Sequence, residues 1–309
     1  MNDTDIRAEL ATLLPRPGRP GMTPRRFQRR RAALVAAIDA PPVRRRGLIL
    51  IALPAATVLA VTFAATIVAR PWDSGEPPPI VRVLAGDHDE AVRFLNRLAA
   101  AAGSEPRPGV TEGRYLYVRS RVAFVRFSGD PVEAEMQELH DREIWKPLFL
   151  GGHGRLKEEG RPTDLGPARA VDLQPELPSD PQALLAKIYR ESEGQGTSRD
   201  GQAFTVIGDL LHESLLAPEI NAALYQAAAR IPGVELVPDV VDAIGRHGVG
   251  VAREEEGIRR EWIFDRASGE YLGERAYLVE DTSDGKAGML MATTAVTGRA
   301  VVDRLGATS

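Results

Sequence analysis

The chain has 309 residues, 43% hydrophobic and 27% charged, with 39 basic and 43 acidic side chains and no cysteine. That balance excludes wholesale disorder and fibrous repeats, and the missing cysteine excludes disulfides, Fe–S clusters, thiolate zinc sites and cysteine nucleophiles. The net charge of −4 hides an uneven division: residues 1–46 hold 11 Arg against four acids, whereas residues 70–309 hold 28 basic and 39 acidic side chains.

Residues 1–14 place Ile6, Leu10, Leu13 and Leu14 at helical spacing, and Pro15, Pro17 and Pro20 end that helix. Thr23-Pro24 opens a second helix with Arg25, Arg26, Arg29, Arg30 and Arg31, then Leu34, Val35 and Ile38. Such an Arg cluster suits an anionic lipid surface or an acidic protein partner; otherwise it only sets topology. Gly47 to Ala69 follow, 23 residues without a charge. At 1.5 Å per residue this run spans a hydrocarbon core of about 30 Å. Arg44, Arg45 and Arg46 precede it, and Arg70 and Trp72 mark its far end. Excess Arg on the cytosolic side predicts a cytosolic tail (1–46), a transmembrane helix (47–69) and an extracytoplasmic remainder. A cleaved export signal has a shorter charged region and an apolar stretch of about 7–15 residues, so an uncleaved anchor is expected. Residues 70–81, with Pro77-Pro78-Pro79, read as a semi-rigid stalk.

Residues 82–309 are long enough for their own core and predict an α+β domain, an antiparallel sheet packed by helices. A helix over 87–102 starts on the capping pair Asp87/Glu90, and residues 113–128 alternate as strand. Strands are expected at 133–145 and 152–158, and a helix after Asp180-Pro181. A Gly/Ser-rich loop (194–201) precedes a helix with Phe204, Ile207, Leu211 and Leu215 on one face. Pro218 opens another, stopped by Pro232-Gly233. The last 75 residues predict a meander of strands at 234–237, 248–253, 258–264, 270–279 and 289–297.

Catalytic patterns are sparse. His212-Glu213 is half of a zinc-protease motif, but position 216 is Leu, so the pair reads as helix-surface polar residues. Asp87-His88-Asp89-Glu90 reads as acids favoured at a helix N-terminus. Gly151-Gly152-His153-Gly154 lacks the Lys-Ser/Thr of a phosphate loop, and Gly248-Val249-Gly250 lacks the third glycine of a dinucleotide fingerprint. Glu254-Glu255-Glu256 reads as a solvated turn. No cofactor, metal or catalytic residue is assigned, and the acidic balance of 70–309 argues against nucleic acid.

Leu177-Pro178-Ser179-Asp180-Pro181, Phe204 to Leu216, Ala223-Leu224-Tyr225, Ile231-Pro232-Gly233-Val234, Gly248 to Ala252 and Phe264-Asp265 to Gly273-Glu274 occur in that order. With Leu13-Leu14-Pro15-Arg16-Pro17 and Thr23-Pro24-Arg25, they resemble a family of single-pass membrane proteins of high-GC Gram-positive bacteria. The resemblance covers nearly the whole chain. It implies a membrane-anchored envelope protein, encoded near sigma factors and anti-sigma-like. With no catalytic motif and only the tail in the cytosol, a non-enzymatic signalling protein is expected, with a cytosolic sigma-factor-like partner at Arg25, Arg26, Arg29, Arg30 and Arg31. The family has no established catalytic residue to carry over. The other expectations are an extracytoplasmic carrier for an apolar ligand such as lipid, and a hydrolase. An apolar groove would favour the carrier, and converging carboxylates in a cleft the hydrolase.

Overall fold

The computed structural model describes residues 78–105, 113–128, 133–168 and 177–309. The tail, the Gly47–Ala69 run and most of the Pro-rich segment lie outside the described residues. Among those described, no helix is long and apolar enough to cross a membrane.

The fold is α+β. Helix α1 (His88–Gly103) is capped by Asp87, whose Oδ1 accepts from Glu90 N at 2.7 Å. Helix α2 (Pro181–Glu191) has proline in its first turn and Asp180 as cap, accepting from Ala183 N at 2.8 Å. Both starts follow the predicted chemistry. Helix α3 (Arg199–Glu213) begins inside the expected loop, because Ser198 Oγ accepts from Gly201 N. Helix α4 (Pro218–Ala228) starts on Pro218 without a side-chain cap.

Ten strands form one antiparallel sheet among the described residues: β1 (Tyr115–Ser128), β2 (Glu133–Met136), β3 (His140–Pro147), β4 (His153–Glu158), β5 (Arg161–Pro167), β6 (Val234–Val241), β7 (His247–Glu255), β8 (Ile258–Phe264), β9 (Tyr271–Leu278) and β10 (Leu290–Val302). Their order is β5-β4-β3-β1-β10-β9-β8-β7-β6, with β2 continuing beside β1. Two departures from expectation have local causes. The segment 133–145 breaks into β2 and β3 because Gln137–Leu139 bulge out of the ladder, with Gln137 N donating to Phe124 O. Strand β5 was not expected, since Arg-Pro-Thr-Asp-Leu-Gly-Pro has no alternation of apolar residues.

Both outer edges are blunted. Strand β5 carries Pro162, Pro167 and a bulge opposite Gly154/Arg155, and β6 carries Pro238 and a bulge between Val237 and Val240. Prolines and bulges remove the regular row of donors that another strand would need.

Neighbouring residues of a strand point to opposite faces. Leu236, Val251, Trp262 and Phe264 therefore meet the helices, forming the main core with Phe94, Leu95, Phe204, Ile207 and Leu224. Phe204 stacks on Trp262 with ring centroids 3.8 Å apart. The alternate residues Val237, Ala252 and Ile263 face the other way and pack against Leu84. Leu84 belongs to a strap, Pro79–Asp87, that crosses this second face. Its first residues pair with the residues leading into β10 (Ile80 opposite Met289), and its last pairs with β6 (Asp87 opposite Leu236). The chain then turns round the β6 edge into α1.

Candidate functional site

The sheet forks. Strand β1 pairs with β10 as far as Phe124–Ala292; from Val125 it leaves β10 and continues only with β2, which extends the β3 edge of β1 beyond the bulge. The edge of β10 vacated there is taken by the strap. Val81 N donates to Gly288 O at 2.7 Å, and Leu290 N donates to Pro79 O at 2.9 Å. Between the strap and the departing β1/β2 arm lies a groove of about 360 Å³, open to one side. Its floor is Ala123, Arg275, Leu290 and Thr293; its walls are Pro79 and Val81, the bulge residues Met136, Gln137 and Leu139, and the β6–β7 turn Val241–Ala243. Volumes of about 300–1,000 Å³, mostly apolar lining and a few polar groups are what small-molecule sites require. Here the polar groups are the Arg275 guanidinium, Thr293 and Gln137, whose Oε1 is sealed from water without a hydrogen-bond partner among the described residues.

One wall is stapled. The buried Asp242 carboxylate accepts from Ile244 N, Arg246 N and Arg246 Nε (2.6 Å), while Arg246 Nη2 donates to Leu272 O and Val296 O. The floor is fixed by Glu261, which is fully buried. It accepts from Arg275 Nε at 2.6 Å and from Tyr277 Oη at 2.7 Å. Burial beside this carboxylate pushes the Tyr277 phenol well above its ordinary range. Arg259 pairs with Glu235 and donates to Leu84 O, so the network also grips the middle of the strap.

A second polar assembly lies on the opposite face, under the end of α3. Arg142 Nη1 (β3) donates to Glu213 Oε1 at 2.5 Å, Ser120 Oγ (β1) lies 3.3 Å from His212 Nε2, and Tyr271 Oη donates to Glu274 Oε2 at 3.5 Å. Burial would raise the Glu213 carboxyl, but Arg142 and Lys146 hold it down at about 2. Burial keeps the His212 imidazole neutral, with its pKa lowered to about 4. Burial, reinforced by Glu274 and Glu213, pushes the Asp209 carboxyl well above the ordinary range, and burial also raises Glu274. Three carboxylates thus converge, and Ser120 beside His212 has the outline of a nucleophile and base. Yet Ser120 is 1% exposed and Glu213 2%. A reacting group needs contact with substrate; these residues tie α3 to the sheet.

His212-Glu213 is therefore a correction to the sequence reading: the pair points inward, not to the helix surface. A signal was present, because His212 lies four and eight residues after Gly208 and Phe204 and so shares the inward row. Asp87–Glu90 is a cap, with His88 Nδ1 2.7 Å from Val234 O. Gly151–Gly154 forms a turn and the start of β4, and Gly248–Gly250 lies inside β7. Glu255 is less solvated than expected: it binds Thr197 and Arg253 and holds the loop before α3. Arg25, Arg26, Arg29, Arg30 and Arg31 lie outside the described residues. No group of three or more His, Cys, Asp or Glu among the described residues is arranged to hold a metal ion. The groove escaped sequence reading because six segments far apart in the chain build it.

No protein-family model and no curated protein matches the chain. Among solved structures it is similar to a chain in the complex of Pseudomonas aeruginosa MucA/MucB, at 16% identity and a TM-score of 0.27. That likeness covers 71% of this chain and only 58% of the neighbour, and it is too low to assign a shared fold.

Proposed function

We propose that the chain is a non-enzymatic, membrane-anchored envelope protein whose folded domain is an extracytoplasmic binding module for an apolar ligand such as lipid. In this reading residues 1–46 are cytosolic, 47–69 span the membrane, 70–81 lead outward with their last residues, Pro79–Val81, already docked as a wall of the groove, and 82–309 supply the rest of the binding domain. The groove carries the binding part: it is open, mostly apolar and of ligand size. The anchor rests on the 23 uncharged residues and their Arg-rich flank. A signalling role rests on the cluster Arg25, Arg26, Arg29, Arg30 and Arg31, which offers a planar, multidentate contact to a sigma-factor-like cytosolic protein.

The test uses full-length protein in nanodiscs and a diazirine-bearing dodecanoic acid. Photolysis should label peptides containing Met136–Leu139 and Val241–Ala243. Ala123→Trp, which fills the groove from its floor, should abolish that labelling while leaving the melting transition cooperative. Labelling that persists in Ala123→Trp contradicts the site.

A further inference from the structure

The two long walls of the groove are held unequally. The β6–β7 turn is fastened by the Asp242–Arg246 pair and by two further bonds from Arg246 to β9 and β10. The opposite wall, Pro79–Val81, is held at the start of β10 by two backbone hydrogen bonds, one to Gly288 O and one from Leu290 N. Ile80 between them is 64% exposed and gains little from burial. Pro78, just before the wall, is buried; the strap's polar fastenings come later, where Arg259 grips Leu84 O and where Asp87 pairs with Leu236. Arg82 and Val83, both exposed, separate the loosely held part from the firm part. Short, solvent-exposed backbone pairing with little buried apolar surface marks the segments of a fold that open most easily.

We propose that Pro79–Val81 is a movable wall of the groove: an apolar ligand in the groove holds this strand docked on β10, and without ligand the strand peels away as far as Arg82–Val83. The inference rests on the groove being a binding site. Pro79 and Val81 contribute apolar surface to an occupant only while docked, so ligand and docking must favour each other. Linkage makes the coupling reciprocal: whatever pulls the strand off weakens binding by the same factor that ligand strengthens docking. The strand is the first described part of the chain after the Pro-rich segment. Under the proposed topology it is therefore where the membrane side meets the binding site, and occupancy would be felt as a change in the tether.

The experiment exploits the absence of native cysteine. Ile80 and Met289 face each other in an antiparallel bridge, with flanking bonds that mark the closer kind of pair, at a Cα separation of about 4.5 Å and within reach of a disulfide. Full-length Ile80→Cys/Met289→Cys in nanodiscs is compared oxidised and reduced, so each molecule is its own folding control. Oxidation should tighten binding of the diazirine-bearing dodecanoic acid by about fivefold or more, the ordinary scale of coupling between sites. Saturating probe should speed disulfide formation, and in the parent chain it should slow hydrogen exchange at Val81 and Leu290. Equal affinity in the two redox states, with exchange unaffected by probe, overturns the movable wall while leaving the groove intact. Absence of labelling at the groove in the parent chain overturns both.

Discussion

Arg142 on β3 and Glu213 in the last turn of α3 meet at 2.5 Å, and both side chains are almost wholly enclosed. Seventy-one residues separate them in the chain. Removing one partner of a buried pair strands the other charge and typically costs about 3–5 kcal/mol, whereas replacing both with apolar groups is often neutral. Arg142→Met should therefore lower unfolding free energy in urea by about 3–5 kcal/mol. Arg142→Met/Glu213→Leu should recover most of the loss. If the single variant loses under about 1 kcal/mol, a typical exposed pair's worth, the pair does not hold α3 down.

The same seam sets a stability optimum in pH. Glu213, lowered to about 2, contributes stability present above its unfolded value of 4.5 and lost as pH falls toward 2. His212, lowered to about 4, adds a loss as pH falls from 6.5 toward 4. Asp209 and Glu274 are raised, so their contribution is complete at low pH and fades as pH climbs through their folded values. Asp209→Asn should consequently be more stable than the parent at pH 8, with the gain shrinking toward pH 4. Denaturation midpoints across pH 4–8 decide the matter, and a gain that grows toward acid would contradict the assignment.

Most element starts were legible because their chemistry is local. Asp87, Asp180-Pro181 and Pro218 mark helix starts by capping and by proline's fixed φ, and Ile258–Phe264 coincides with β8. What was not legible depends on distant partners. Strand β5 exists because β4 pairs with it, not because its residues favour extension. Glu213 looks like a surface residue until Arg142 comes into view. The fork is a matter of β1 losing β10 after Phe124 while its other edge continues from β3 into β2, which no periodicity within β1 announces.

Gly288 should prove critical where the strap docks. Its φ is +82°, and a Cβ there would lie 2.5 Å from Val81 O. Gly113 has a similar φ of +86° with open space around it. Both Gly→Ala changes carry the left-handed penalty of about 1–2 kcal/mol, but only Gly288→Ala also displaces the strap. Chemical denaturation should show the larger loss for Gly288→Ala, and photolabelling of the groove should fall in that variant alone. Equal losses would detach the strap from this glycine.

Stacking of Phe204 on Trp262 joins α3 to β8. Trp262→Ala should cost about 3–5 kcal/mol, the usual range for emptying a large buried aromatic site. Thermal melting of the variant would register this, and a shift of only a degree or two would mean the core collapses around the gap.

The tail can be tested apart from the groove. Changing Arg25, Arg26, Arg29, Arg30 and Arg31 to Lys keeps the charge and removes the planar fork. Attraction to anionic lipid, about 1 kcal/mol per basic residue near the surface, should survive. A specific cytosolic protein contact should weaken at least tenfold in a pull-down from membranes, and an unchanged yield would argue against it.

Hydrogen exchange of the full-length protein in nanodiscs, with and without diazirine-bearing dodecanoic acid, bears most directly on the binding role. The account predicts slower exchange at three segments far apart in sequence, 79–81, 136–139 and 241–243, with little change under α3. Slower exchange confined to the helix-covered face, or none anywhere at saturating probe, would contradict it.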